Sequence, residues 1–229
     1  MATPPGYQTY YLQWRFVASN NDFLRNKPNN TSKKHPMAIY HHTTRMIGRS
    51  NGGNPVKAIA YISGIQITDP HTGEVFDFQD KSVQDVQILL PENAPAWAKE
   101  IQQLVATDRE KGIQLLSNIA NAAELRKDAQ VYREIEFSLP RELTYEQRKV
   151  LAQEYVQDQF CGLGMLAIQG FHEETCEKTG EPNPHCHTFF LTRELVEREL
   201  VREDLVEGDS SQGLASKKNR DWNTREVHE

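Results

Sequence analysis

Residues 183–191 read Asn183-Pro184-His185-Cys186-His187-Thr188-Phe189-Phe190-Leu191. Two histidines flank one apolar residue where a polar turn gives way to an apolar run. Alternate side chains of a strand share a face, so His185 and His187 point the same way and Cys186 points to the other side. Upstream, Met165 to Phe171 reads as a strand, followed by the polar segment 173–184 with Gly180, Pro182 and Pro184, a hairpin loop by composition. If His172 opposes His185 in an antiparallel pair, Gly170 opposes His187. Opposed side chains lie about 4.5–5.5 Å apart, so three imidazoles converge. Three neutral imidazoles can hold a metal and leave positions for water or substrate.

Other arrangements compete. Isolated strand histidines usually serve as hydrogen-bonded surface or core residues. A closed zinc site could recruit Cys176 from the loop, whereas Cys186 suits a small buried position. Glu134 and Glu136 alternate on one polar face of a strand. They could order a ligating imidazole or a nucleophile, or form a solvated face with ion pairs. Tyr61 sits in Pro55-Val56-Lys57-Ala58-Ile59-Ala60-Tyr61-Ile62-Ser63-Gly64, where a tyrosine between Ala and Ile ordinarily packs into the core. No Walker loop is present.

The elements that must position these residues follow from the pattern. A chain of 229 residues, 38% hydrophobic and 25% charged, can bury a sizeable core. Met37–Ile47 reads as a strand, Val56–Ser63 as a helix stopped by Gly64, and Ile65–Thr68 with Val75–Phe78 as a hairpin. Val83–Leu90 is a strand. Ala96–Arg126 is a long helical stretch that Gly112 could interrupt. Val131–Leu139 alternates as a strand, and Thr144 with Gln147 forms a capping box for a helix to Phe160. Strands and helices mix without strict βαβ alternation, which implies an α+β fold: a mostly antiparallel central sheet with helices packed mainly on one face.

Residues 1–36 are polar and aperiodic and read as an N-terminal extension, with residues 37–229 as the folded domain. Residues 1–60 hold eight Lys/Arg against one acid, Asp22, a balance of +7 in a chain of net charge −6. Such asymmetry suits one polyanion-facing surface or a basic tail. Three cysteines and the lack of any apolar run near the roughly 20 residues of a membrane span suggest a cytoplasmic, non-inserted protein.

From Met37 to Asn223 the chain resembles the N-terminal relaxase domain of the MobA/MobL (MobQ-class) plasmid mobilisation proteins, in the HUH endonuclease superfamily. The resemblance is carried by Met37-Ala38-Ile39-Tyr40-His41, Arg49-Ser50, Ala58-Ile59-Ala60-Tyr61 and Thr72-Gly73-Glu74-Val75. It continues through Leu90-Pro91-Glu92-Asn93-Ala94-Pro95, Arg133-Glu134-Ile135-Glu136-Phe137-Ser138-Leu139-Pro140, Asn183-Pro184-His185-Cys186-His187 and Lys217-Lys218-Asn219-Arg220-Asp221-Trp222-Asn223. It implies Tyr61 as catalytic tyrosine, Glu134 or Glu136 as its helper, and His172, His185 and His187 as ligands of a divalent metal, Mg or Mn, with Zn or another transition metal as alternatives. It also implies nicking of single-stranded DNA at a plasmid transfer origin beside a hairpin or duplex, through a 5′-phosphotyrosyl intermediate. Accessory mobilisation proteins and a type IV secretion coupling protein are the implied partners, in the bacterial cytoplasm. Arg45, Arg49, Lys57, Lys217, Lys218, Arg220 and Arg225 are candidate phosphate contacts. The family usually begins at the Met37 position and continues in helical sequence past the last motif, so a chain ending at Glu229 reads as a fragment or short form. A replication-initiation nuclease with the same histidine motif places its tyrosine downstream of the histidines, whereas Tyr155, the last tyrosine here, precedes His172. A zinc-stabilised binding module without catalysis is the other alternative.

Overall fold

The computed structural model describes residues 41–50, 54–124, 126–176, 179–197, 218, 219 and 222. The chain divides into a unit of Ala38–Asn219, which carries every element below, and a unit of Met1–Met37 with Arg220–Glu229. The elements in order are β1 (His42–Gly48), α1 (Pro55–Ser63), β2 (Gln66–Thr68), β3 (Val75–Asp77), β4 (Val83–Leu89), α2 (Ala96–Thr107), α3 (Arg109–Ala122), β5 (Gln130–Ser138), α4 (Tyr145–Gln159), β6 (Ala167–Thr175) and β7 (Pro182–Leu191). Of the expected strand from Met37, residues 37–40 lie outside the described residues.

The local sequence explains the helix ends. The Asn54 side chain accepts hydrogen bonds from the Val56 and Lys57 N–H groups, Pro55 fills the first turn, and Gly64 closes α1 at φ 58°. Thr144 and Gln147 complete the expected capping box of α4. The single long helix expected over Ala96–Arg126 is two helices, and the break falls at Asp108 instead of Gly112. Asp108 ends α2 and turns its carboxylate onto the Lys111 N–H, capping α3. Gly112 lies inside α3 at the crossing with α2, where a Cβ would stand 2.6 Å from Val105 Cγ2.

Five strands form one sheet in the order β1-β5-β7-β6-β4, each neighbouring pair antiparallel; β2 and β3 form a separate hairpin. The fold is α+β, as the element pattern implies. β6 and β7 reach further into their hairpin than expected, to Thr175 and from Pro182. On one sheet face Val86, Ile88, Tyr132, Ile168 and Phe189 join Val56, Ile59, Trp97, Ile101, Ile113 and Leu116 from α1, α2 and α3 in one buried cluster. Each such side chain contributes about 1.5–3 kcal/mol by leaving water. α4 covers the other face, with Tyr155 against Phe137 at 5.5 Å between ring centroids and Gln169 Nε2 donating to Ala152 O. No helix among the described residues is long and apolar enough to cross a membrane.

Candidate metal centre and tyrosine site

The β6–β7 register opposes His172 to His185 and Gly170 to His187, the pairing expected from the hairpin. The three imidazoles converge: ring centroids lie 5.2 Å (His172–His185), 4.9 Å (His172–His187) and 5.2 Å (His185–His187) apart. One ligand nitrogen from each ring lies within 4.8 Å of one from both others, and all three residues are buried. Cys176 is not in this group. Its backbone N–H instead donates to Glu181 O across the hairpin end, so the closed zinc site with Cys176 is not formed. Cys186 sits on the opposite sheet face, wholly buried, and burial pushes its thiol up to about 12.

The hydrogen bonds fix which nitrogen each ring keeps open. His185 Nδ1 stands 2.8 Å from Asn183 O, a carbonyl that can only accept, so Nδ1 carries the proton and Nε2 keeps its lone pair. His187 Nδ1 lies 2.7 Å from Glu134 Oε1 and is placed likewise. His172 is reversed: its Nε2 faces Ile62 O at 3.3 Å, leaving Nδ1 buried with no hydrogen-bond partner. An orphaned buried nitrogen beside two open ones, with each second nitrogen anchored, fits a metal held by three imidazoles.

The electrostatics favour the neutral form of His172 and His185, which metal binding requires. Burial, aided by the His187 and His185 charges, lowers His172 to about 3. Burial also lowers His185. Unfolded histidines titrate near 6.5, so between about 6.5 and 3 the unfolded chain binds protons that folded His172 refuses. Stability is therefore fully present above about pH 6.5 and falls as the pH drops through that window. Urea unfolding in chelator should show a loss on the order of 1 kcal/mol per pH unit, and a flat profile from about pH 7 to 5 would contradict it.

Glu134 is the second anchor. Its carboxylate is 1% exposed, accepts from His187 Nδ1 and takes both Arg45 Nε and Arg45 Nη2, the latter at 3.0 Å. Burial alone would raise its pKa, but the hydrogen bonds and charges of His187 and Arg45 outweigh that and hold it below the usual carboxylate value. A solvated strand face does not describe this residue. Glu136, 25% exposed, lies 4.0 Å from His187 Nδ1 and 3.4 Å from His41 Nε2. A Glu134→Gln protein keeps an acceptor for His187 but loses the charge that matches Arg45. We expect metal affinity to fall about 10–100-fold, read by isothermal titration; an unchanged affinity would remove Glu134 from the support of the centre.

Tyr61 reaches the same place from α1. Its ring lies 5.9 Å from His172 at 26° between planes, 6.1 Å from His187 at 89°, and 5.5 Å from Phe78 at 83°. It packs beside the histidines and is only partly buried. The approach depends on Gly170, where a Cβ would stand 2.1 Å from Ile62 O. That contact lets the carbonyl next to Tyr61 meet His172 Nε2. Sequence reasoning noted Gly170 only as the residue opposite His187; the signal available was a glycine inside a strand, which often marks close backbone approach.

The basic candidates separate. Arg45 joins the centre through Glu134 while its side chain stays 59% exposed. Lys57 is exposed on α1. Arg49 is spent elsewhere: its guanidinium donates to Glu124 O, Arg126 O and Asn121 O at the end of α3. Lys218 is held by Gln130 O and by Glu124 at 3.3 Å. Both therefore act as clamps in this structure and not as open phosphate contacts. Lys217, Arg220 and Arg225 lie outside the described residues.

Comparison with known proteins follows the same lines. The model of the MobA/MobL family matches residues 54–229. The chain is 30% identical over 163 residues to the conjugal transfer protein TraA of Agrobacterium fabrum, covering 70% of this chain and 14% of that protein. It is 36% identical over 137 residues to the mobilization protein MobL of Acidithiobacillus ferridurans, covering 59% and 32%. It is 29% identical over 161 residues to the probable mobilization protein MobA of Bifidobacterium longum, covering 69% and 26%. It thus spans 14–32% of the length of these relatives. A structure solved for the molecular basis of vancomycin resistance transfer in Staphylococcus aureus superposes with a TM-score of 0.59 at 28% identity, covering 83% of this chain and 85% of that one.

Proposed function

The chain belongs to the MobA/MobL family, and on that premise we propose that it is a relaxase that nicks one DNA strand at a plasmid transfer origin and can rejoin it. The observation that carries this reading is the seating of Tyr61 against His172 and His187, two of three clustered histidines that each keep one nitrogen open. The phenol oxygen of Tyr61 attacks the scissile phosphorus. The new P–O bond to tyrosine forms as the bond to the 3′ oxygen breaks, leaving a 5′-phosphotyrosyl link and a free 3′-hydroxyl. The phenol proton departs and a proton ends on the 3′ oxygen. One phosphodiester is exchanged for another, so the step is reversible and the site can rejoin ends.

His172 through Nδ1, and His185 and His187 through Nε2, would hold the divalent ion. An all-imidazole set suits Mn or Zn better than Mg, which prefers oxygen ligands. Bound there, the ion supplies Lewis-acid stabilisation of charge on phosphate oxygens. Glu134, already engaged by Arg45 and His187, positions; Glu136 is the carboxylate of the pair with capacity to take a proton. Arg45 and Lys57 remain the phosphate contacts of choice among the described candidates. Single-stranded DNA with an adjacent hairpin or duplex is the substrate of this reading, with accessory mobilisation proteins and a secretion coupling protein as partners in a bacterial cytoplasm.

The test is incubation with single-stranded oligonucleotides tiling the transfer region of the plasmid that carries the gene, with Mn²⁺ or Mg²⁺. A covalent protein–DNA adduct that chelator abolishes is expected. Failure of every oligonucleotide to give an adduct, with unfolding on metal removal, would instead favour a zinc-stabilised binding module.

A further inference from the structure

The segment after β3 wraps Tyr61. Phe78 meets the tyrosine ring edge-on, and Lys81 Nζ stands over the same ring, 4.9 Å from its centroid. The backbone there is fixed: Lys81 N–H donates to Phe78 O, and the Val83 N–H donates to Lys81 O at 2.8 Å. Val83 packs on the cap of the tyrosine helix so closely that a Cβ on Gly64 would stand 2.7 Å from Val83 Cγ2. Lys81 is thus carried by a turn docked against the helix that carries Tyr61. Its side chain is 35% exposed.

The partner of Lys81 sits in an unusual place. Glu174 Oε1 lies 3.9 Å from Lys81 Nζ and 3.9 Å from His172 Nδ1, the orphaned nitrogen of the histidine cluster. One carboxylate oxygen therefore stands between an ammonium over the tyrosine and the nitrogen that fits a metal. Both distances exceed a hydrogen bond, so the pair is loose. An anion between a cation over Tyr61 and the histidine centre occupies the place that the proposed reaction needs for a phosphate.

We infer that Lys81 is a further catalytic residue: it exchanges Glu174 for a non-bridging oxygen of the scissile phosphate and holds that phosphate after it is joined to Tyr61. The inference rests on the strand-cutting reading and adds the cation on the tyrosine side of the phosphate. A lysine serves here as a mobile point charge on a flexible stem, able to follow the phosphate from DNA to tyrosine. Glu174 is its placeholder in the DNA-free protein.

The probe is the transfer-origin oligonucleotide that gives an adduct with the unaltered chain, synthesised with either the native phosphate or a neutral methylphosphonate at the joined linkage. Binding is measured by fluorescence anisotropy in chelator on a Tyr61→Phe background, which keeps the ring under Lys81 and stops cleavage. The native linkage should bind about tenfold tighter than the methylphosphonate, as a charge-assisted hydrogen bond allows. Lys81→Met should bring that ratio near one, Lys81→Arg should keep most of it, and Glu174→Gln should raise it. A ratio unchanged in Lys81→Met, or equal weakening toward both probes, overturns the assignment while leaving the strand-cutting reading intact. If the unaltered chain forms no adduct with any oligonucleotide, that reading falls and this one with it.

Discussion

Replacing Tyr61 by Phe should abolish the covalent DNA adduct, a loss of about 10³-fold or more, while stability and metal affinity stay near those of the unaltered protein. The substitution removes one oxygen from a partly exposed ring. The edge contact with Phe78 and the stack on His172 belong to the ring itself and survive, so the fold should change by no more than about 0.5 kcal/mol. The other described tyrosines cannot substitute. Tyr132 is 0% exposed, and burial pushes its hydroxyl well above the ordinary tyrosine value. Tyr145 is raised in the same direction by the same cause. Tyr155 projects from α4 onto the opposite face of the sheet, beside Phe137. Denaturing gel electrophoresis after incubation with a labelled oligonucleotide reads the adduct directly. An adduct that persists in Tyr61→Phe would move the nucleophile away from α1 and overturn the proposed mechanism.

The parts of this site legible in the sequence are those governed by short-range rules. Alternation in β7 set His185 and His187 on one face and Cys186 on the other, and the constant sum of opposed positions in a hairpin brought in His172. Asn54, Pro55, Gly64 and the Thr144–Gln147 box marked helix ends through local chemistry. Contacts between distant segments carried no such signal. Arg49 and Arg45 are both exposed-looking arginines near the N-terminus of the sheet. One is consumed by carbonyls at the end of α3; the other pairs with Glu134, 89 positions away, and stays 59% exposed. The break between α2 and α3 was misplaced because Gly112 resembles a helix breaker, whereas its role is to admit Val105 at a helix crossing. Tyr61 shows the same limit. Its neighbours describe a core position, and only the packing of α1 on β6 brings it to the histidines.

That packing gives the second large expected effect. In Gly170→Ala the new Cβ would fall 2.1 Å from Ile62 O and 3.1 Å from Ile62 C. Both are backbone atoms, so no rotamer change relieves the clash; α1 must lift from β6 or β6 must bend. Overpacking of this kind costs about 1–3 kcal/mol, and separating Ile62 O from His172 Nε2 adds the loss of a buried hydrogen bond, about 1 kcal/mol. A loss of roughly 2–4 kcal/mol in urea unfolding is therefore expected. The functional cost should exceed what stability explains, because Tyr61 moves with α1 while the histidines stay on the sheet, and a displacement near 1 Å can cost about 10²-fold in rate. Gly112→Ala separates the two effects. It meets Val105 Cγ2 at 2.6 Å and Val105 N at 2.7 Å, a comparable clash at the α2–α3 crossing, away from the histidines. It should lose similar stability yet form the adduct at nearly the unaltered rate per folded molecule. Equal rates in both variants would mean that the close approach of α1 to β6 serves packing alone and does not set the reach of Tyr61.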